Sequence, residues 1–219
     1  VNIKKEFTDV SFSSGFYSHE ITCVDFSIGD SKIVKAYERA FNQFFYKPKV
    51  ILRLVTSNLG FSGANLYPML EYASSVTADP VKVMFGSSLT MPHKGLASIS
   101  EFKKNVKNSF SLIYTLPEEI TKLNNINIKH PVHCLINLAD RCGIPAKYIE
   151  DIAEQASYIF NGSETNAKQL YLMFSKVANR AKDDRERLKI TEKIGRGVNI
   201  LLHNTSDVDI TNIKWKSLC

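Results

Sequence analysis

The stretch that most constrains the fold is residues 161–196, NGSETNAKQLYLMFSKVANRAKDDRERLKITEKIGR. Its first half has a helix start signal and an apolar stripe, and its second half is rich in cations. The cations recur at steps of three and four residues, at Lys182, Arg185, Lys189, Lys193 and Arg196. This spacing predicts a helix with all five on one face, as a protein that follows a row of phosphates requires. Acidic residues are interleaved, so an ordinary solvated helix face is the alternative.

The composition is that of a globular chain with a moderate basic excess. Its 219 residues are 44% hydrophobic and 23% charged, and the formal net charge is +6. The length suffices for one large domain or two small lobes, and the charge favours a polyanionic partner. No apolar run reaches the ~18 residues of a membrane span. With no secretory leader, the four scattered cysteines are expected to be reduced thiols of a cytosolic protein that is not secreted.

Helical periodicity extends outward from this stretch over most of the chain. Apolar stripes at helical spacing begin near Ser31, Leu96, Pro117, His130 and Pro145. Residues 49–59 are almost wholly apolar and fit either a buried helix or a strand, whereas residues 64–75 are predicted to be helical. Short strands are expected only within the first 30 residues and at 81–85.

The predicted fold class is therefore mainly α, with two helical lobes, a groove between them and an extended arm at each end. Residues 1–30 form the N-terminal arm with its short strands, and residues 31–116 form the N-terminal lobe. The C-terminal lobe covers residues 117–203 and the C-terminal arm residues 204–219. Strands do not alternate with helices as in a parallel sheet, which argues against the nucleotide-binding α/β folds.

Two short motifs contain residue types that occur in catalytic or metal-binding sites. Residues 86–95, GSSLTMPHKG, resemble the mobile loop of the fumarase and adenylosuccinate lyase superfamily, in which a serine, here Ser87 or Ser88, is the catalytic base. Thr90 is an extra residue in that pattern, and ~220 residues are too few for the three domains of that superfamily.

A second group has metal-type ligands without the spacing of structural zinc, at His130, His133, Cys134 and Cys142. The sequence therefore predicts no enzyme, cofactor or metal, and a lyase fragment stays as an alternative.

Basic residues also cluster beside aromatic ones, as suits single-stranded RNA, whose bases stack on rings while its phosphates contact cations. The candidate RNA-binding residues are cations from both halves of the chain: Lys47, Lys49, Arg53, Lys94, Lys103, Lys104, Lys107, Arg180, Lys182, Arg185, Lys189 and Arg196. The candidate base-stacking residues are Phe45, Tyr46 and Tyr114. The alternative for the aromatic side chains is a place in the core.

The combination of helical body, terminal arms and basic clusters resembles the nucleoproteins of segmented negative-strand RNA viruses. The resemblance is greatest to the nucleoproteins of the plant emaraviruses and weaker to those of the orthobunyaviruses and tospoviruses. Asn179-Arg180-Ala181 matches the beginning of the emaravirus Asn-Arg-Leu-Ala motif, and Gly195 matches the glycine of a Gly-Tyr-Glu-Phe motif. The resemblance implies encapsidation of single-stranded genomic RNA without sequence preference, and a viral polymerase as partner. It also implies a location in the host cytoplasm and the virion.

The same resemblance implies a homo-oligomer linked through its terminal arms. The candidate oligomerisation residues are apolar side chains of these arms: Val10, Phe12, Ile210, Ile213 and Trp215. Docking of the C-terminal arm onto its own domain is the alternative. A helical protein-interaction module is a further alternative function, which the absence of salt-dependent RNA affinity would indicate.

Overall fold

The computed structural model describes residues 9–41, 46–59, 63–73, 81–84, 89–91 and 99–212. The chain divides into two compact units, Val1–Pro117 and Glu118–Cys219. Unit 1 is built on an antiparallel sheet in which strands follow one another in chain order. These strands are β1 (Val10–Tyr17), β2 (Ile21–Ile28), β3 (Tyr46–Ser57), β4 (Ala64–Ala73) and β5 (Val81–Met84). A short sixth strand, β6 (Leu89–Met91), pairs with β4 on the same side as β5.

The prediction of a mainly α fold is wrong, because unit 1 is mixed α/β with this sheet as its centre. Residues 64–75, predicted to be helical, instead contain β4. Residues 10–28 form the β1–β2 hairpin of the sheet. The short strands predicted within the first 30 residues are therefore confirmed, but they belong to the sheet and not to an extended arm. The strand predicted at 81–85 is confirmed as β5.

The physical reason for the error is that the central strands are buried on both faces. In β3, the neighbouring residues Val50 and Ile51 point to opposite faces, and both are fully buried. Such a strand has no polar side and reads as a continuous apolar run, which periodicity cannot distinguish from a buried helix. Pro68 added to the ambiguity. It lies between the part of β4 that pairs with β6 and the part that pairs with β5, where the ladder is interrupted and a missing N–H is tolerated.

Two helices complete unit 1. The first, α1 (Ser31–Phe41), buries Ile33, Tyr37 and Phe41 and packs against β3. The second, α2 (Ile99–Asn124), belongs to unit 1 as far as Pro117 and to unit 2 from Glu118. It continues through Pro117, although the sequence predicts one helix ending before this proline and another beginning at it. Proline has no N–H, so the carbonyl of Ile113 lacks its usual donor four residues later. The buried Tyr37 hydroxyl donates to that carbonyl at 3.1 Å, which explains how the helix continues.

Tyr37→Phe is expected to lower the free energy of unfolding by about 1–3 kcal/mol, because it leaves the buried Ile113 carbonyl without a donor. Urea unfolding followed by circular dichroism measures the change. Pro117→Ala provides the matched background, since it restores a backbone N–H to the helix. In that background Tyr37→Phe should have a smaller effect. Equal effects in both backgrounds would show that the hydroxyl does not replace the missing donor.

Unit 2 is helical, and its helices follow the sequence signals closely. They are α3 (Pro131–Arg141), α4 (Glu150–Phe160), α5 (Ala167–Ser175) and α6 (Asp184–His203). Two-residue strands β7 (Asn127–Ile128) and β8 (Thr165–Asn166) pair beside them. Gly143 follows α3 with φ +69°, and Asn161 ends α4 with φ 45°, as the predicted stop signals require. Asp183 is the N-cap of α6, and its side chain accepts a hydrogen bond from the Glu186 N–H.

The glycines of α6 do not end the helix, although glycine is unfavourable in a helix interior. Gly197 lies inside α6, which continues to His203. A Cβ atom added to Gly197 would lie 3.1 Å from Cε1 of Phe174 and 3.4 Å from Cε2 of Tyr171. Both rings belong to α5 and are fully buried. The glycine therefore allows α5 and α6 to approach closely, and its role is in packing.

The segment after α6 is fastened to α3 of its own unit. Asp209 accepts hydrogen bonds from the N–H groups of Lys129 and His130, at 2.8 and 2.7 Å. Asn137 donates to the carbonyls of Val208 and Ile210, at 3.1 and 3.4 Å. Residues 208–210 are therefore docked within unit 2, and the prediction of an extended arm from residue 204 is wrong for this part.

Candidate nucleic-acid interface

The exposed side of α2 brings together three predicted site residues. Lys103, Lys107 and Tyr114 are separated by four and seven residues. At 100° per residue they fall within about 40° of arc, so they share one face. All three are exposed, while Val106, Ile113 and Leu116 are buried. We call the exposed side chains Lys103, Lys104, Lys107 and Tyr114 the α2 stripe.

The α2 stripe is uniformly positive. Between Glu101 and Glu118 the sequence contains no acidic residue. Tyr114 is 57% exposed, which is unusual for a large aromatic side chain. An exposed ring beside cations offers both contacts that a single-stranded nucleic acid uses, base stacking and phosphate neutralisation.

A second basic face lies on α6. Arg185, Lys189 and Arg196 are exposed and repeat the spacing of four and seven residues. Acidic residues accompany them, since Asp184, Glu186 and Glu192 belong to the same helix. This mixed composition makes the α6 face less positive than the α2 stripe.

The other predicted cations of unit 2 have different surroundings. Lys193 donates to the carbonyl of Gly143 at 2.6 Å, so it is held by the turn after α3. Arg180 lies 3.3 Å from Asp151, where both side chains are exposed. Lys182 is exposed but precedes the helix, which begins at Asp184. The ladder of five is therefore reduced to the three cations of the α6 face.

Of the remaining predicted RNA contacts in unit 1, the structure describes the side chains of Lys49 and Arg53. Lys49 is exposed and donates to Glu71 at 2.9 Å, whereas Arg53 is buried and bound to Asp25. Tyr46 and Lys47 begin β3, but their side chains lie outside the described part of the chain. Phe45 and Lys94 lie outside the described residues altogether.

The Arg53–Asp25 pair belongs to a charged cluster that sequence reasoning missed. Arg53 Nε donates to Asp25 Oδ1 at 2.7 Å, and Arg53 Nη2 donates to Oδ2 at 2.8 Å. Lys82 Nζ donates to the same Oδ2 at 2.7 Å and to Ser14 Oγ at 2.8 Å. Ser14 Oγ in turn donates to Oδ2 at 3.0 Å. Glu71 lies 3.6 Å from Lys82 and connects the cluster to Lys49. The cluster therefore extends across five adjacent strands, β1 to β5.

This cluster is a structural network without the properties of a catalytic one. Burial raises the pKa of Asp25, but the hydrogen bonds and charges of Arg53 and then Lys82 outweigh it and bring the pKa below its ordinary value. A carboxylate with a lowered pKa is a weak base and does not activate the Ser14 hydroxyl as a nucleophile. One signal in the sequence did indicate the pair, because Arg53 stands alone within an apolar run and a buried cation requires a partner.

The other motifs form no site in the part of the chain that the structure describes. Burial raises the pKa of the Cys134 thiol and brings that of Cys142 to about 12, so both stay protonated near neutral pH. Among the described residues, no three His, Cys, Asp or Glu side chains are placed to hold a metal ion. Ser87 and Ser88 of the lyase-like loop lie outside the described residues, and only β6 at 89–91 is described from it.

The predicted oligomerisation residues have different environments. Val10 is buried in β1, whereas Phe12 on the same strand is 69% exposed. The carbonyl of Ile210 accepts a hydrogen bond within unit 2. Ile213 and Trp215 lie outside the described residues.

Among the helices that the structure describes, none is both long and apolar enough to cross a membrane. The chain matches no protein-family model, and no curated protein and no solved structure is significantly similar to it.

Proposed function

We propose that this chain binds single-stranded RNA, without sequence preference, through the α2 stripe. The observation that carries the proposal is the combination of three exposed lysines with the exposed Tyr114 ring on a stretch of α2, residues 102–117, that contains no acidic residue. Contacts between lysines and phosphates carry no sequence information, so binding through such contacts is independent of sequence.

Tyr114 favours a single strand over a duplex as the ligand. The bases of a duplex are stacked on one another, whereas those of a single strand can stack on an exposed aromatic ring. Lys107 lies seven residues before Tyr114, which corresponds to about 10 Å along the helix. A strand lying along α2 can therefore contact the lysines with its phosphates and the ring with a base.

The α6 face supports the same function in unit 2. Its three exposed cations, Arg185, Lys189 and Arg196, offer further phosphate contacts but no exposed aromatic ring on the same face. We expect the α6 face to contribute less to RNA binding than the α2 stripe, because interleaved carboxylates reduce its attraction for phosphate.

The proposal does not depend on the resemblance to viral nucleoproteins. That resemblance relied on an all-helical body with free arms, and unit 1 contains a sheet instead. RNA binding through the α2 stripe therefore depends on its own lysines and tyrosine and not on that architecture.

Tyr114→Ala tests the stacking contact. A fluorescent 12-nucleotide oligouridine, titrated with RNA-free protein at fixed salt, should bind the variant about 5- to 150-fold more weakly, as loss of one stacked base predicts. Tyr114→Phe should bind like the wild type, because its ring remains. Tyr17→Ala is the matched control, since Tyr17 is also an exposed tyrosine but lies on β1.

Two results would contradict the proposal. The first is wild-type protein that binds the oligonucleotide no better at low salt than at high salt. The second is Tyr114→Ala and Tyr17→Ala proteins of equal affinity, which would exclude the ring of α2 from the binding surface.

A further inference from the structure

The exposed side of α4 carries large apolar side chains. Tyr158 is 76% exposed and the adjacent Ile159 is 60% exposed, while Ile152 and Ala156 on the other side of the helix are buried. These two side chains give the exposed side of α4 a small apolar patch, which a partner can cover.

The charges around this apolar pair select the kind of partner. The helix contains Glu150, Asp151 and Glu154 and no basic residue, although the whole chain has a net charge of +6. Asp151, Glu154 and Tyr158 are spaced by three and four residues, so they share one exposed face. We call these three side chains the α4 stripe. A partner helix must offer cations and an apolar side chain in matching order.

The α2 stripe of the same protein has this order. Asp151 precedes Tyr158 by seven residues, and Lys107 precedes Tyr114 by seven residues. In both helices the distance along the axis is about 10 Å. Two such helices packed in parallel bring Asp151 opposite Lys107 and Tyr158 opposite Tyr114, with Glu154 within reach of Lys107.

We propose that the α4 stripe of one copy packs in parallel against the α2 stripe of a second copy. Carboxylates then meet lysines at one end of the contact, and the two tyrosines, with Ile159 beside them, pack at the other. The two surfaces differ, so the contact is head-to-tail and leaves one free α4 and one free α2 at the ends of each pair. Association therefore continues beyond the dimer.

The neighbouring ion pair does not block this contact. Asp151 lies 3.3 Å from Arg180, but both side chains are exposed, and exposed pairs contribute little. Glu154 is exposed as well, and it is the acid through which the contact is best tested.

Sedimentation of nuclease-treated, RNA-free protein at low salt tests the contact. The average mass of the wild type should rise with concentration beyond two copies. Glu154→Lys and Lys107→Glu should each weaken the association at least about tenfold, because each places like charges together. The double variant E154K/K107E restores opposite charges between positions 154 and 107 but leaves Asp151 against a glutamate, so it should recover part of the loss. Asp140→Lys is the matched control, since it makes the same charge change at an exposed position of α3.

A wild type that stays monomeric at all concentrations overturns the proposal, as does a double variant that associates no better than the single ones. Tyr158→Ala gives a second, uncharged test and should also weaken association. All these measurements are made without RNA, so their outcome is independent of whether the α2 stripe binds RNA.

Discussion

Asp25→Asn is expected to lower the free energy of unfolding of unit 1 by about 3–5 kcal/mol, the usual consequence of removing one partner of a buried ion pair. Asp25 is 1% exposed and accepts hydrogen bonds from Arg53, Lys82 and Ser14. A neutral amide leaves the buried guanidinium without a countercharge. It also places an NH₂ group against donors, because only one of its two polar atoms accepts hydrogen bonds.

The prediction includes a dependence on pH. The pKa of Asp25 is lower in the folded protein than in the unfolded chain. Its stabilising contribution is therefore complete above the unfolded value, near pH 4, and is lost as the pH falls through the lower folded value. The difference in stability between wild type and Asp25→Asn should narrow as the pH is lowered below about 4.

Urea unfolding at several pH values measures both effects. Asp207→Asn is the matched control, because Asp207 pairs with Arg141 at 3.0 Å with both side chains exposed. Its effect should not exceed about 1 kcal/mol. The double variant Asp25→Leu with Arg53→Met should be more stable than Asp25→Asn. It removes both charges of the ion pair, so no buried guanidinium is left without its carboxylate. If Asp25→Asn and Asp207→Asn are equally mild, the cluster does not stabilise the sheet.

The second large effect is expected from replacing Lys103, Lys104 and Lys107 together by glutamine. Each phosphate contact to a single strand contributes about 0.7 to the slope of log K against log salt concentration. Loss of three contacts should therefore reduce that slope by about 2. At 0.1 M salt this corresponds to a loss of affinity on the order of 100-fold.

Fluorescence anisotropy of a labelled oligouridine, measured over a range of salt concentrations, gives the slope directly. The control replaces three exposed cations of α1 in the same unit, Lys32, Lys35 and Arg39, by glutamine. Both variants lower the net charge by three, so only a local contact distinguishes them. A slope that changes equally in the two variants would mean that RNA responds to the net charge of the protein and not to α2.

The helices of unit 2 were predictable because their signals are local. Pro131 begins α3, Gly143 follows it, and Asn161 ends α4, each through backbone preferences that need no distant partner. The α2 stripe was predictable for the same reason, since residue spacing alone places Lys103, Lys107 and Tyr114 on one face.

The sheet of unit 1 was not predictable in this way. Its strands β3 and β4 are apolar on both faces, so only pairing with their neighbours distinguishes them from buried helices. The continuation of α2 through Pro117 likewise depends on Tyr37, which is 76 residues away from Ile113 in the chain. Arg53 was predicted to bind RNA, but its guanidinium is instead bound by the carboxylate of Asp25 on the adjacent strand.

The sequence by itself therefore determined the helices of unit 2, their ends, and the basic and aromatic composition of the α2 stripe. The tertiary structure alone decided the antiparallel sheet, the docking of residues 208–210 onto α3, and which cations face solvent. The physical reason is the range of the interactions. Capping, backbone strain and helical spacing act over a few residues, whereas strand pairing and the neutralisation of a buried charge depend on residues brought together from distant parts of the chain.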